Sequence, residues 1–550
     1  MKSYQTTALL AMGALSLASC AEAKTEPKNV IMFLTDDQTY HSIRALGNNQ
    51  VVTPNFDRLV EEGVTFTHHY ATTSISMASR ACLMTGKYEY KTGCNFMHGA
   101  MRNETFAASY PTLMRNAGYY TGFGGKLGFA VTDEEGAKES QKDKYLPADQ
   151  FDSFAGQGHF IFYKTAGNTN IKQYAKEYPH LTSALAAYGV DFIHEAQQSN
   201  KPFCLSLYFK APHGEYTPDP QYDDIYKDTV WEKAETYGEK YSEHLAKQGK
   251  LGRQHLEYFG WYDSDYQASM RKINQLVYGV DVAIGQIMDE LKKQGLDKNT
   301  IIIFSSDNGY AHGEHNLGGK VLPYEETSKV PLIIFDPSNT KNGGKFTDAL
   351  AGNIDITATI LDYAGVAQPD GMDGRSLRKI VENPEKGKVR NYLPLINTWG
   401  NPHINSLSVV SDDYKYVYWC CGEGLTPVEE LFDCKRDPME LKNIATDPNY
   451  NKVMDKMRKE YDKRLKVWKA EAVPYNYYQE FATIYDRNIP WSEKRDLISE
   501  KSWATYDSQL KKIGYEGDKL DYDAVIEYSH KRNEQFRESG KSSHHVYGKF

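Results

Sequence analysis

The stretch NVIMFLTDD, residues 29–37, is a continuous apolar run that ends in two carboxylates. A run without polar and apolar alternation predicts a strand buried on both faces, as in a parallel sheet. In open α/β sheets the carboxyl ends of such strands carry the ligand sites. We therefore expect a central strand here, with Asp36 and Asp37 at a functional edge.

Similar apolar runs recur along the chain, at residues 203–209, 300–304 and 330–335. Helical patterns lie between them, notably at residues 268–293, where apolar residues repeat at helical spacing. Strands that alternate with helices predict an α/β fold with a mostly parallel sheet flanked by helices.

The character of the sequence changes near residue 386. Residues 406–410 and 414–419 are strand-like and are separated by a polar turn, which predicts an antiparallel hairpin. We expect a catalytic domain at residues 21–385 and a smaller C-terminal α+β domain at residues 386–550, with an antiparallel sheet and a helical, Tyr-rich tail. A length of 550 residues is ample for two domains.

The first twenty residues predict export. Lys2 precedes an apolar stretch at residues 8–18, which is too short to span a bilayer, and Leu-Ala-Ser-Cys follows at residues 17–20. The pattern resembles a bacterial lipoprotein signal, which implies a signal peptide at residues 1–20 and a lipid anchor on Cys20. We expect the mature protein in the periplasm or at the cell surface, anchored to the outer membrane. An ordinary secretory signal with an incidental cysteine is the alternative.

Charge and cysteine content exclude some classes of protein. A net charge of −9 gives no electrostatic footprint for nucleic acid, so no nucleic-acid partner is expected, and an anionic ligand needs a local site. Six cysteines follow Cys20 in a pattern that fits neither a zinc site nor a dense disulfide scaffold. Reduced, buried thiols are one interpretation. The other is disulfide pairing of Cys82 with Cys94, or of Cys420 or Cys421 with Cys434.

Hard oxygen donors follow two of the predicted strands. Asp36 and Asp37 come after the first strand, and Asp307 and Asn308 come after residues 300–304. Carboxylate and amide oxygens suit Ca²⁺ or Mg²⁺, and the lack of His and Cys disfavours zinc. Asp and Asn also end strands for turn reasons, but two such pairs predict one metal site. We expect a single Ca²⁺ ion there in preference to Mg²⁺.

Residues 72–86, TTSISMASRACLMTG, lead from small hydroxyl residues into an apolar helical segment that ends at glycine. Ser74 or Ser76 as a helix N-cap is one interpretation. A helix N-terminus also binds anions, and Arg80 one turn further offers a forked donor. The pattern Ser-x-Ala-Ser-Arg followed by Met-Thr-Gly resembles the formylglycine signature of the type I sulfatase family, within the alkaline phosphatase superfamily. The resemblance is to bacterial exported carbohydrate sulfatases.

This resemblance implies that a formylglycine-generating maturation enzyme oxidises Ser76 to an aldehyde, 3-oxoalanine, which also contacts the metal. The chemistry gives the reason, because an unmodified serine would be left as a stable alkyl sulfate. In a hydrated aldehyde one hydroxyl attacks sulfur, and deprotonation of the other re-forms the carbonyl and expels sulfate. The implied activity is that of a sulfuric ester hydrolase.

Further blocks resemble the family in chain order. Residues 119–126, YYTGFGGK, resemble its Gly-Lys block, which makes Lys126 a partner of sulfate or of the diol. The family follows this lysine with Trp-His, whereas this chain has Leu127 and Gly128. The usual histidine partner of the diol is therefore missing. Its role falls to His68, His69 or His98, or is dispensed with.

Two later blocks complete the resemblance. Residues 210–213, KAPH, imply that His213 contacts sulfate and is a candidate general acid for the leaving oxygen. Residues 306–309, SDNG, imply metal binding by Asp307 and Asn308, and Lys320 beyond them implies a contact with sulfate. The family's C-terminal signature resembles residues 430–443. Arg80, Lys126, His213 and Lys320, with the metal, are thus the predicted clamp around sulfate.

The sequence says much less about the sugar that carries the sulfate. An anchored, exported sulfatase predicts a sulfated carbohydrate substrate, from mucin, glycosaminoglycan or algal polysaccharide. Residues 222–262, with Trp231 and Trp261, are either a sugar subsite or a solvated helical hairpin with aromatic anchors. Three residues beside the family blocks are candidate sugar contacts: His98, Arg102 and His312.

Three alternatives stay open at this stage. A phosphodiesterase or phosphonate hydrolase of the same superfamily would use a comparable nucleophile, but its two-metal relatives show Asp-His where this chain has Asp307 and Asn308. A catalytically dead, glycan-binding lipoprotein is consistent with the missing Trp-His pair. An envelope phosphotransferase would need a membrane-embedded bundle, and the sequence has no second apolar run long enough to span a bilayer.

Overall fold

The structure is a computed structural model that describes residues 27–134, 144–257 and 266–539. The predicted signal peptide with Cys20, and Trp261, lie outside the described residues. In the part of the chain that is described, no helix is long and apolar enough to cross a membrane.

The strand Asn29–Asp36 lies inside an eight-stranded sheet, as the opening stretch predicts. It pairs in parallel with Phe203–Pro212 on one side and with Thr300–Ser306 on the other. Its side chains alternate between two apolar cores, so that Met32 packs into one and Phe33 into the other. Burial on both faces explains the unbroken apolar run.

The sheet is mostly parallel, which confirms the predicted fold class. Five of its seven strand pairings are parallel, and Leu332–Phe335 is antiparallel to both of its neighbours. The order across the sheet is Lys345–Thr347, Val64–Phe66, Leu332–Phe335, Thr300–Ser306, Asn29–Asp36, Phe203–Pro212, Tyr120–Lys126 and Ser153–Gln157.

Helices cover both faces of this sheet. Leu181–Ser199 and Tyr266–Lys293 pack on the face that carries Phe33, and the second of them confirms the helix predicted at residues 268–293. Ser76–Thr85 and Ile354–Tyr363 pack on the opposite face. Shorter helices in this part of the chain are Pro54–Glu62, Glu89–Thr92, Asn103–Ala107, Tyr110–Asn116, Lys247–Lys250, Arg253–Leu256, Glu325–Ser328 and Arg378–Glu382.

A second, antiparallel sheet follows in the C-terminal part. The predicted hairpin has the predicted bounds, and Ser411 N–H donates to Tyr414 O at 2.8 Å to close it. The domain boundary at residue 386 stays a prediction. Four strands form this sheet, in the order Leu393–Asn397, Ser406–Val410, Tyr414–Trp419 and Val428–Asp433. The helices that complete the chain are Asn451–Glu471, Tyr478–Ile484, Trp491–Lys494, Glu500–Ile513 and Tyr522–Ser539.

The cysteines beyond the signal carry free thiols. The disulfide interpretation is therefore wrong, and the interpretation as reduced thiols is confirmed. Burial raises the pKa of the Cys204 and Cys420 thiols to about 12, so both stay protonated at neutral pH. Five of the thiols are buried and one is half-buried, namely Cys82, Cys94, Cys204, Cys420, Cys421 and Cys434.

Candidate active site

The predicted oxygen donors meet at one edge of the sheet. Asp36 is the last residue of its strand, and Asp307 directly follows Thr300–Ser306. Because these strands are adjacent and parallel, their ends meet: Asp37 N–H donates to Asp307 Oδ1 at 3.1 Å. Asn308 Nδ2 donates to Asp37 Oδ1 at 2.6 Å. All four side chains are buried, so the quartet forms one cluster.

The helix Ser76–Thr85 presents its N-terminus to this edge. Ile75 occupies the N-cap position in an extended conformation, so the interpretation of Ser74 or Ser76 as the cap is wrong. The helix ends at Gly86, whose left-handed φ of +65° suits a helix C-terminus. Ser76 is therefore the first helical residue, where unpaired N–H groups favour an anion.

The hydroxyl of Ser76 lies within the oxygen cluster. Its Oγ is 3.1 Å from Asp36 Oδ1 and 3.4 Å from Asn308 Oδ1. Lys320 Nζ donates to the same oxygen at 2.8 Å. Ser76 is only 2% exposed, so this hydroxyl is enclosed by ionisable and amide groups rather than by water.

Arg80 contacts carboxylates at the ends of the two adjacent strands Asn29–Asp36 and Thr300–Ser306. Its Nε donates to Asp307 Oδ2 at 2.8 Å, and its Nη1 donates to Lys126 O at 2.5 Å. Nη2 lies 3.4 Å from Asp36 Oδ2. Burial opposes the charge of this guanidinium, but the carboxylates of Asp307 and Asp36 outweigh it and raise the pKa of Arg80. The arginine therefore stays charged and fixes both carboxylates.

Two buried lysines balance the remaining carboxylates. Lys126 ends the strand Tyr120–Lys126, and its ammonium group contacts the Asp36 carboxylate. Lys320 Nζ donates to Asp37 Oδ1 at 2.5 Å. Burial lowers the pKa of Lys126, whereas in Lys320 the carboxylates, led by Asp37, outweigh burial and raise the pKa.

His213 directly follows the strand Phe203–Pro212 and lies at the mouth of the cluster. Its Nε2 is 3.7 Å from Asp37 Oδ2. Burial lowers the pKa of His213 well below its usual range, against the opposing effect of Asp36. This lowered pKa favours the neutral imidazole at neutral pH.

The donor set fits a divalent cation. Asp36, Asp37 and His213 each place one ligand atom within 4.8 Å of the others. Burial raises the pKa of Asp307 to about 6, and it also raises the pKa of Asp37. A cation bound between these groups would favour their charged forms. The residues that would hold it by hard oxygen atoms are Asp36, Asp37, Asp307 and Asn308.

A cavity of about 550 Å³ opens above Ser76. Four of the predicted site residues line it with Ser76, namely Asp37, Lys126, His213 and Lys320. Sequence reasoning missed the rest of the wall, because these residues stand in none of the family blocks and come from distant parts of the chain. They include Phe96, Met97, His159, Arg253, Tyr310, Trp399 and Lys501.

The three predicted sugar contacts are not among the described residues that line this cavity. His98 Nε2 is hydrogen-bonded to Thr398 O at 2.8 Å. The Arg102 guanidinium stacks 3.8 Å from the centre of the Tyr475 ring. His312 is buried, and burial lowers its pKa to about 4. A substrate-binding role for these three stays a prediction.

Gly128, which stands where the family has a histidine, faces Arg80. Its φ is +87°, and a Cβ at this position would lie 3.0 Å from Arg80 Cδ. The described lining of the cavity contains His159 and His213. It does not contain the three histidines considered as replacements, which are His68, His69 and His98.

The aromatic segment before the long helix is mainly an anchor. Trp231 is buried, and its ring lies 5.2 Å from that of Tyr226. Its backbone N–H donates to Gln267 Oε1 at 2.7 Å. This supports the aromatic anchors, but the described residues of the segment form no helical hairpin, since their α-helices are the single turns Lys247–Lys250 and Arg253–Leu256. Arg253 of the same segment lines the cavity.

The sheet is mostly parallel and has acidic strand ends, and Ser76 stands at a helix N-terminus among cationic side chains. This arrangement agrees with the expected hydrolase of the alkaline phosphatase superfamily. A family model described as Sulfatase matches residues 28–366, and a model described as N-sulphoglucosamine sulphohydrolase, C-terminal, matches residues 313–467. The chain belongs to the sulfatase family. It is a sulfuric ester hydrolase, and this family implies a divalent metal.

Individual relatives agree with this assignment. The chain is 27% identical to an N-acetylglucosamine-6-O-sulfatase of Bacteroides thetaiotaomicron, covering 85% of this chain and 92% of the relative. It is 26% identical to an arylsulfatase of Clostridium perfringens, covering 80% of this chain and 94% of the relative.

Solved structures share the fold. The structure of BT4656 in complex with its substrate D-glucosamine-2-N,6-O-disulfate is 25% identical, with a TM-score of 0.68, covering 81% of this chain and 99% of that one. A phosphonate monoester hydrolase of Agrobacterium radiobacter is 20% identical, with a TM-score of 0.63, covering 81% of this chain and 96% of that one. The second similarity concerns the fold alone.

Proposed function

We propose that this chain hydrolyses sulfate esters of sulfated glycans, with an aldehyde made from Ser76 as its nucleophile and one Ca²⁺ ion as its cofactor. The observation that carries the proposal is the position of Ser76 Oγ, 2.8 Å from Lys320 Nζ and 3.1 Å from Asp36 Oδ1. The names of the relatives support a sugar substrate, since one is an N-acetylglucosamine-6-O-sulfatase and two others are ulvan-active sulfatases.

Once hydrated, the aldehyde at position 76 would supply the diol that attacks sulfur and then expels sulfate. Lys320 Nζ, which donates to Oγ, would stabilise negative charge on the attacking oxygen. Lys126 and the helix N-terminus would bind the other sulfate oxygens. Arg80 would act by holding Asp36 and Asp307 in place, since all its described polar contacts are to those carboxylates and to a backbone carbonyl.

His213 is the proposed proton donor to the leaving sugar oxygen. Its pKa lies well below the usual range because the group is buried among lysines, so the free enzyme holds it neutral. The negative charge of the bound sulfate ester and of its transition state, beside the imidazole, raises that pKa. Protonation of His213 would then accompany substrate binding, where the proton is needed.

Calcium is proposed because the site offers an all-protein set of oxygen ligands. Mg²⁺ usually retains several water molecules and few carboxylates, whereas Ca²⁺ accepts more protein oxygens at variable geometry. When bound, the cation would polarise a sulfate oxygen as a Lewis acid. The residues proposed to hold it are Asp36, Asp37, Asp307 and Asn308, with the group at position 76 alongside.

Mass spectrometry of the peptide that spans residue 76 tests this proposal. Protein produced together with a formylglycine-generating enzyme should lose two hydrogens at Ser76 and release sulfate from sugar sulfates, and Ser76→Ala should do neither. A matched panel of phosphate diesters and phosphonate esters should give much lower kcat/KM. Equal turnover of the unmodified protein, or a preference for phosphonate esters, would contradict the assignment.

We also propose that the protein is exported and anchored through a lipid on Cys20. The apolar stretch and the Leu-Ala-Ser-Cys sequence at residues 17–20 support this. Labelled palmitate should be incorporated into the wild type and not into Cys20→Ala. Recovery of the unlabelled wild type from the cytoplasm would contradict both parts of this proposal.

A further inference from the structure

Part of the cavity wall comes from three distant parts of the chain. Arg253 opens a short helix, Trp399 follows the first strand of the C-terminal sheet, and Lys501 stands in the first turn of a 14-residue helix. All three line the same cavity as Ser76. Lys501 lies beyond both family matches, which end at residues 366 and 467.

Arg253 and Trp399 form one stacked unit. The guanidinium carbon lies 4.2 Å from the centre of the indole ring. Trp399 N–H donates to Asn397 Oδ1 at 3.2 Å, which fixes the loop that carries the indole. Stacking uses the face of the guanidinium, whereas its planar N–H fork is the part that recognises carboxylates and tetrahedral oxyanions.

Lys501 brings a second positive charge to the cavity. Its Nζ donates to the backbone carbonyls of Phe96 at 3.2 Å and Met97 at 3.1 Å. Both acceptors are neutral, and within the described residues no carboxylate lies at salt-bridge distance from this ammonium group. In a chain with a net charge of −9, two cationic side chains on one cavity wall mark a local site for an anion.

The cavity is larger than one sulfate group requires. Its volume of about 550 Å³ falls within the range of roughly 300–1,000 Å³ that ligand pockets have. The cavity therefore has room for a sugar ring beside the sulfate group. The indole of Trp399 offers that ring an apolar surface.

We propose that Arg253, Trp399 and Lys501 form a subsite for a second anionic group of the substrate, a proposal that rests on the proposed function. The scissile sulfate lies at Ser76, and the second group, a sulfate or a carboxylate, lies against the two cations. The substrate class is therefore a sugar or disaccharide that carries two anionic groups. The helix Glu500–Ile513 takes part in recognition through Lys501.

Three substrates test this inference: glucosamine 6-sulfate, glucosamine 2-N,6-O-disulfate, and a 6-sulfated disaccharide with a uronic acid. We expect wild-type kcat/KM for at least one dianionic substrate to exceed that for the monosulfated sugar about tenfold or more. Lys501→Met and Arg253→Met should each lower this ratio about tenfold, mainly through KM. Lys501→Arg should keep it. Lys511→Met, an exposed change on the same helix, is the matched control.

Each outcome decides between defined interpretations. A fall in the ratio for the disulfated sugar alone identifies the second group as sulfate, and a fall for the disaccharide alone identifies it as carboxylate. An equal loss on all three substrates would mean that Lys501 only holds the Phe96 loop, and would overturn the subsite. An unchanged ratio would also overturn it, while leaving the sulfatase proposal intact. A wild type that releases no sulfate from any of them, or from an aryl sulfate, would instead overturn the proposed function.

Discussion

At Gly128 a missing side chain leaves room for Arg80. The position has a φ of +87°, and a Cβ would lie 3.0 Å from Arg80 Cδ. Gly118 has a similar φ of +94°, but a Cβ there would meet nothing within 4 Å. We expect both alanine substitutions to cost about 1–2 kcal/mol of backbone strain. Only Gly128→Ala should lower kcat, about tenfold or more, because it displaces Arg80.

Thermal melting and steady-state kinetics of the two glycine variants separate these effects. Equal kcat in Gly128→Ala and Gly118→Ala would show that the contact with Arg80 does not matter. Substitution to histidine at residue 128 would add bulk at the same contact, so the typical family residue should not be tolerated here without movement of Arg80.

Lys126 and His213 should contribute to turnover in different ways. Removal of the Lys126 ammonium leaves Asp36 without its nearest cation and weakens sulfate binding in the transition state, so Lys126→Ala should cost about 10²–10³ in kcat. His213→Ala should cost about 10²–10⁴ with sugar sulfates. With 4-nitrophenyl sulfate the decrease of kcat in His213→Ala should be smaller, because this leaving group needs no proton. Near wild-type kcat in Lys126→Ala would refute this division.

At this scale the sequence was sufficient for the residues that gather around Ser76. Asp307 and Asn308 follow an apolar strand, so their place at the sheet edge followed from periodicity. The blocks that resemble the family identified Lys126, Lys320 and His213. The cavity wall could not be predicted, because Arg253 and Lys501 reach it through tertiary packing that leaves no local pattern. His98 stands near a block and is hydrogen-bonded to Thr398 O, so its role in substrate binding stays a prediction.

Among the elements, the helix Pro54–Glu62 depends on a cap from another helix. Its own N-cap residue, Thr53, makes no side-chain cap bond. Asp281, on Tyr266–Lys293, accepts instead from Asn55 N–H at 2.9 Å and from Phe56 N–H at 2.7 Å. Asp281→Ala should cost about 2 kcal/mol and speed hydrogen exchange in residues 54–62. Unchanged exchange would contradict this capping role.

Asp289→Ala is the matched control on the same helix, since this exposed residue only pairs with Arg58 at 3.3 Å. It should change stability by less than about 1 kcal/mol. Burial also raises the pKa of Asp281 to about 6, above its ordinary value near 3.9. The folded state then binds this proton more tightly, so wild-type stability relative to Asp281→Asn should fall as pH rises from about 4 to about 6.

Longer strands buried on both faces could be predicted, and very short strands could not. The run at residues 330–335 predicted a buried strand, and Leu332–Phe335 forms one. Its antiparallel direction could not be read, because direction depends on pairing with Val64–Phe66 and Thr300–Ser306. Val64–Phe66 has three residues, too few for a periodic signal.

Across the whole molecule, a buried ion-pair network joins the catalytic part to the C-terminal sheet. Lys415, on Tyr414–Trp419, lies 2.7 Å from both Glu325 and Glu440. Lys415→Met would leave the buried Glu440 carboxylate without its cation and Glu325 with only Lys329, 3.5 Å away, which should cost about 3–5 kcal/mol. Lys435→Met, at an exposed pair 3.8 Å from Asp413, should change the melting temperature little.

Acidification provides a check on this network. Burial raises the pKa of Glu440 to about 7, so this carboxyl is ready to take up a proton once Lys415 is gone. Lowering the pH toward 5 should therefore recover part of the stability that Lys415→Met loses. A variant that is equally destabilised at pH 5 and pH 8 would argue against uncompensated carboxylates as the cause.

The helix Glu500–Ile513 lies beyond the matched family regions, and its first turn reaches the cavity through Lys501. The residues proposed to bind the metal and the scissile sulfate lie at the strand ends, and none of them belongs to this helix. Substitutions in the helix and substitutions at the strand ends can therefore be selected separately. If Lys501 binds the substrate as proposed, substitutions in this helix would change which sugars are bound and leave the chemistry at the strand ends unchanged.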